Sequence, residues 1–151
     1  MPYLAFAFAI GCLIPLQAAI NARLRDSLDH STLLAALVSF AVGTAALAAM
    51  VVVTGQRWGG LAGVAQAKSW QLTGGLLGAL FVFATTLLAP KIGLAKMVAL
   101  VIAGQVAMSL IADHYGWIGL AVREISPVRA LGAVLVVAGV ALVNYDSLFR
   151  A

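Results

Sequence analysis

Charge is what this sequence lacks most. Only 9% of its 151 residues are Asp, Glu, Lys or Arg, against 64% hydrophobic, and the mean hydropathy is +1.08. A soluble domain carries about 25% charged residues. So little charge excludes a water-solvated globule and equally excludes disorder, so a bilayer must solvate most of the chain. Cysteine is nearly absent as well. Cys12 alone leaves no intrachain disulfide and no multi-cysteine metal site. It lies inside an apolar run and is expected to pack as a small hydrophobe. The two histidines, His30 and His114, are far apart, and no Gly-rich phosphate loop ending in Lys-Ser/Thr occurs. With no hydrolase, nucleotide or zinc pattern, neither an enzyme nor a metal or cofactor is expected. The net charge is +4 and the pI about 9.7. The basic residues stand singly at the ends of apolar runs, with no cluster and no interleaved aromatics. That placement fits headgroup anchoring and speaks against nucleic acid as a partner.

What the chain has in quantity is long apolar runs. Spans are predicted at about 3–22, 32–54 and 70–89. Each holds enough uncharged residues to cross a hydrocarbon core of ~30 Å at ~1.5 Å per residue. A fourth is predicted at 93–115 if Lys96 snorkels, and a fifth at 127–148, which contains Arg129. Pro127 suits the first turn of a helix, where its missing N–H costs little. Tyr3, Trp58, Trp70, Tyr115, Trp117 and Tyr145 fall near predicted span ends, as an aromatic belt requires. The N-terminus has no basic region before its first apolar run, so that run is expected to be a retained span rather than a cleaved signal. The connections are short: Arg23 to Ser31, Gly55 to Ser69 along the interface, a tight turn from Pro90 to Lys96, and Gly116 to Ser126. The expected fold is an all-α membrane protein of five transmembrane helices in a single membrane domain, 1–151, with neither linker nor internal repeat.

Five spans put the connections on alternate sides. The side of the N-terminus receives Arg57, Lys68, Arg123 and Arg129, and the other side Arg23, Arg25, Lys91, Lys96 and Arg150. Orientation follows the Lys/Arg bias of short loops. Four against five is almost no bias. It favours insertion in both orientations, and hence an inverted homodimer, over a single orientation set by the first span.

Polar groups inside spans are costly unless paired, which makes them candidates for function. Gln17 and Asn21 are four apart and share one helix face. Pro15 removes a hydrogen bond to the carbonyl of Gly11 one turn earlier. Loosened backbone beside two amides suits the wall of a polar cavity; the alternative is interhelical hydrogen bonding that holds a bundle together. Gln105, Ser109 and Asp113 recur at intervals of four along one stripe of the fourth span. Asp113 is the only carboxylate near a span interior and is a candidate coupling or gating residue. The alternative is that Asp113 and His114 simply end the helix among headgroups. Gly74 and Gly78 form a Gly-x-x-x-Gly pair, and with Gly104, Gly132 and Gly139 they mark expected helix contacts. Thr85 and Thr86 are readily absorbed by backbone hydrogen bonding.

Read in order, Pro15-x-Gln17-x-x-x-Asn21, Ser39-Phe40-x-x-Gly43, Gly74-Gly75-x-x-Gly78, Gly104-Gln105, Ser109, Asp113-His114-x-Gly116 and Arg129-x-x-Gly132 resemble the YdcZ-like family of bacterial inner-membrane proteins, within the drug/metabolite transporter superfamily. The likeness runs along nearly the whole chain. It implies a five-span half-unit of the larger ten-span transporters, working as an antiparallel dimer or beside an oppositely oriented partner. It implies the bacterial inner membrane, with lipid, a second copy and a small solute as partners. Gln17, Asn21, Gln105 and Ser109 would then bind the solute near the bilayer midplane between inverted halves. The related small multidrug resistance transporters carry an essential Glu in their first span. This sequence has none there, so their mode of substrate/proton exchange is not expected. Two other readings stay open: a single-orientation subunit of a hetero-oligomeric transporter, and a non-transporting scaffold or assembly protein.

Overall fold

The computed structural model describes residues 2–119 and 121–145. All of its regular structure is helical, as expected of apolar segments whose backbone polar groups must find partners without water. Five α-helices follow in order: α1 (Pro2–Asp26), α2 (Thr32–Val53), α3 (Thr73–Ile92), α4 (Leu94–Tyr115) and α5 (Pro127–Val143). Short 3-10 segments, Trp58–Gln66 and Ser69–Leu72, fill the connection between α2 and α3.

Four stretches are long and apolar enough to cross a membrane: Tyr3–Asp26, Thr32–Val53, Ser69–Ile92 and Leu94–Tyr115. The fifth helix starts at the expected Pro127, with the Ser126 hydroxyl accepting the Arg129 N–H at 3.3 Å to cap it. Its 17 residues extend roughly 26 Å at 1.5 Å per residue, short of a ~30 Å core. Residues 146–148 of the expected fifth span lie outside the described residues.

Two helix ends run past expectation. The first helix does not stop at Ala22 but continues through Asp26, because its hydrogen bonding outlasts the uncharged run. The third helix runs through Pro90 to Ile92, so the expected turn from Pro90 to Lys96 shrinks to a single residue. That residue is Gly93, at φ 86° and ψ 146°, a conformation open to glycine and almost nothing else. Cys12 is exposed rather than packed.

The chain divides into two compact units, Met1–Lys91 and Ile92–Ala151. In the first, α1 packs along α2 through the turn at 27–31. Asp29 (φ 51°) and His30 (φ 58°) there take the left-handed conformation, and the Ser31 hydroxyl accepts the Leu34 N–H at 3.2 Å. Ala18 and Asn21 are the buried residues of α1, and Ala35 and Ala36 those of α2. On α3, Gly78 faces the Phe40 ring: a Cβ there would sit 3.5 Å from Phe40 Cζ. Val82, Thr85, Thr86 and Ala89 are buried further along α3.

In the second unit α4 packs against α5. Gly116 ends α4 in the left-handed conformation (φ 59°), its N–H donating to the Ala112 carbonyl. Most side chains in both units face outward. Only 6% of each of the α1, α2 and α4 spans is buried, and 22% of the α3 span. Every helix turns Leu outward, together with Val, Phe or Ile, a surface that requires lipid or another apolar chain.

Candidate functional site

The polar face of α1 is built by helical spacing. Gln17, Asn21 and Arg25 recur at intervals of four and stack along one stripe. Gln17 opens on a groove of about 180 Å³ shared with Ser39, Phe40, Gly43, Thr44 and Leu47 of α2. Two segments far apart in sequence thus meet, Pro15-x-Gln17 and Ser39-Phe40-x-x-Gly43. The groove is mostly apolar, with the Gln17 amide and the Ser39 and Thr44 hydroxyls as its hydrogen-bonding groups. Such a surface suits a small amphipathic solute.

One turn below, Asn21 is 4% exposed and its Nδ2 has no hydrogen-bond partner. A further turn on, Arg25 donates from Nη2 to Asp26 Oδ1 at 3.0 Å, while its Nε is buried and unpartnered. The His30 ring lies on the same carboxylate, with Nδ1 3.4 Å from Asp26 Oδ1. Arg25 was not among the residues expected at the site, since the span seemed to end before it. Its spacing of eight from Gln17 was the available signal.

The adjacent threonines of α3, Thr85 and Thr86, behave differently. Thr85 returns its hydroxyl to the Phe81 carbonyl at 2.9 Å, the expected backbone absorption. Thr86 is fully buried, and its hydroxyl has no partner. Pro90, four residues on, has no N–H to offer the Thr86 carbonyl.

In the second unit Gln105 and Ser109 are exposed on α4, and the Ser109 hydroxyl donates to the Gln105 carbonyl. Asp113 is tied down. Its Oδ2 accepts Arg129 Nη2 at 2.5 Å, and its carbonyl accepts the Arg123 N–H at 2.8 Å. Arg129 Nη1 donates to the carbonyls of Arg123 and Glu124, each at 3.2 Å. One guanidinium therefore joins α4, the connecting segment and α5. The glycines expected at helix contacts divide. Within the chain Gly78 meets Phe40, whereas a Cβ at Gly74, Gly104, Gly132 or Gly139 would meet nothing within 4 Å.

A second cavity, about 220 Å³, lies where α2 gives way to the 3-10 segment. It is lined by Val51, Gln56, Arg57, Trp58, Gly60 and Leu61. A cation beside an indole at a span end is the usual composition of an interfacial anchor.

Helices of membrane-crossing length and an outward apolar surface define a multi-pass membrane protein. Residues 2–142 match the family described as "putative inner membrane exporter, YdcZ", and the chain belongs to that family. Membership places it in the inner membrane and in a class of transporters rather than enzymes. Comparison with curated proteins and with solved structures gives no match.

Proposed function

We propose that the protein exports a small solute as an antiparallel homodimer of oppositely inserted copies, exposing a central site to either side in turn. The observation that carries this reading is the α1–α2 groove, where Gln17 meets Ser39 and Thr44 inside an otherwise apolar wall. Solute binds there by hydrogen bonds from neutral groups, with Asn21 below. Gln105 and Ser109 contribute a second polar surface from α4. A two-fold axis in the membrane plane brings Gln17 of one copy opposite Gln17 of the other. The open faces at Gly74, Gly104, Gly132 and Gly139 supply close-packing surfaces for the second copy. Asp113 acts as a gate through its ion pair with Arg129, because breaking that pair frees the segment between α4 and α5.

The charge balance supports dual insertion however α5 lies. If all five helices cross, Lys and Arg divide four to five. If α5 does not cross, Arg150 changes sides and the division is five to four. Neither split orients the chain.

Counterflow into proteoliposomes tests the site, using a panel of labelled benzoate, phosphate, glucose, glycine betaine and tetramethylammonium. At least one is expected to accumulate, and Gln17→Ala is expected to cut its rate by about tenfold or more, roughly the worth of one buried hydrogen bond. Uptake unchanged in Gln17→Ala contradicts the assignment of this groove.

A further inference from the structure

We infer that the end of the α1 stripe, at Asn21 Nδ2 and Arg25 Nε, binds the oxyanion of a small carboxylate- or phosphate-bearing solute. This rests on the reading of the α1 face as solute-binding and names the substrate class for it. The first observation is that both nitrogens are buried without a hydrogen-bond partner, on a residue 4% exposed and on a side chain 20% exposed. Unpaired buried donors are expensive, and a charged one more so. The second is that their residues lie one helical turn apart on one face of α1, where side chains at this spacing are neighbours.

The chemistry selects the partner. An amide can present either N–H or C=O by turning over, so Asn21 alone does not fix the ligand's polarity. Arg25 does, because a guanidinium nitrogen donates and never accepts. The shared partner of the two groups is therefore an acceptor, and a guanidinium edge fits a carboxylate or phosphate best. Asp26 occupies Nη2 and leaves Nε buried without a partner. It repels an approaching anion, as does the carbonyl end of α1; Arg25 itself, Arg23 and, when protonated, His30 oppose that repulsion. Gln17, two turns above Arg25 at the groove, would hold the solute's uncharged portion.

The test is a thermal unfolding titration of the full chain in maltoside detergent. Sodium benzoate and sodium phosphate are compared with sodium chloride and tetramethylammonium chloride at constant ionic strength. At least one oxyanion is expected to raise the midpoint beyond chloride. Arg25→Lys keeps the charge but loses Nε, and is expected to weaken the apparent affinity about tenfold, as is Asn21→Ala. Asn21→Asp preserves the shape and serves if the alanine variant does not fold; it is expected to abolish binding by like-charge repulsion. Arg57→Gln, exposed at the other end of the α1–α2 pair, is expected to stay within about twofold. No oxyanion effect, an effect unchanged in Arg25→Lys, or stabilisation by tetramethylammonium alone would overturn the inference. So would stabilisation by phosphatidylglycerol with none from free anions, which would assign the site to lipid. Gln17-dependent counterflow of a cation or neutral solute without oxyanion binding sinks this inference and leaves the transporter standing. Arg25-dependent oxyanion binding without any counterflow does the reverse.

Discussion

Ile118 adopts φ 60° and ψ 26°, a left-handed conformation that its branched Cβ opposes by roughly 1–2 kcal/mol. It is exposed, so little packing compensates. Ile118→Gly relieves the steric cost but adds backbone entropy to the unfolded chain. A net gain of about 0.5–1 kcal/mol is predicted, read as a higher unfolding midpoint in detergent. Arg129 is the opposite case, with three acceptors on one side chain. Because Arg129 and Asp113 are each about a third exposed (33% and 28%), losing the pair costs less than in a dry core. Arg129→Ala is predicted to destabilise by about 1–3 kcal/mol. Exchanging the two residues is predicted to recover only part of that, since an arginine at 113 does not reach the carbonyls of Arg123 and Glu124. Full recovery in the exchange variant would show that the loop bonds contribute nothing. The two partners are 16 apart in sequence. Each was conspicuous alone as a charge in an apolar stretch. Their pairing needed the left-handed turn at Gly116 and the Ser126 cap, which local patterning does not convey.

Apolar runs and caps specified most of the elements. Thr32, Tyr115 and Pro127 are helix limits because Ser31, Gly116 and the Ser126–Pro127 pair stop or start hydrogen-bonded turns there. The end of α1 was misplaced for a physical reason. Charge marks where hydrocarbon ends, while a helix ends where its hydrogen bonds do, and Arg23 and Arg25 continue the helix among headgroups. Thr86 was misjudged because composition cannot tell a hydroxyl bonded to its own helix from one left unpaired. Two substitutions probe the elements. Gly78→Ala is predicted to be tolerated within about 0.5 kcal/mol, because its Cβ meets Phe40 at an ordinary van der Waals distance and alanine favours the helix. Gly78→Leu, which drives a branched side chain into that ring, is predicted to destabilise by about 1–3 kcal/mol. Gly93→Ala is predicted to cost about 1–3 kcal/mol, since φ 86° is a backbone conformation that a Cβ opposes. Equal midpoints for wild type and Gly93→Ala would mean the junction has no need of glycine.

At the scale of the molecule, three features bear on the proposed pairing. Its helices cover little of one another, four of the five expected glycine contacts face open space, and its Lys and Arg favour neither orientation. The inverted second copy proposed above would answer all three. A charge count bears on orientation, whereas nothing in the sequence bears on pairing, because the faces that would meet carry no mark beyond small residues. The most direct test is side-specific labelling in cells. Cys12 is changed to Ala and a single cysteine placed at Gly59, in the connection between α2 and α3, or at Lys91. Each variant is treated with a membrane-impermeant maleimide before and after permeabilisation. The dual-topology account predicts that each position labels to about half its total from outside and completely once the membrane is opened. Labelling of one position wholly from outside, with the other wholly protected, would contradict it and leave a chain of fixed orientation.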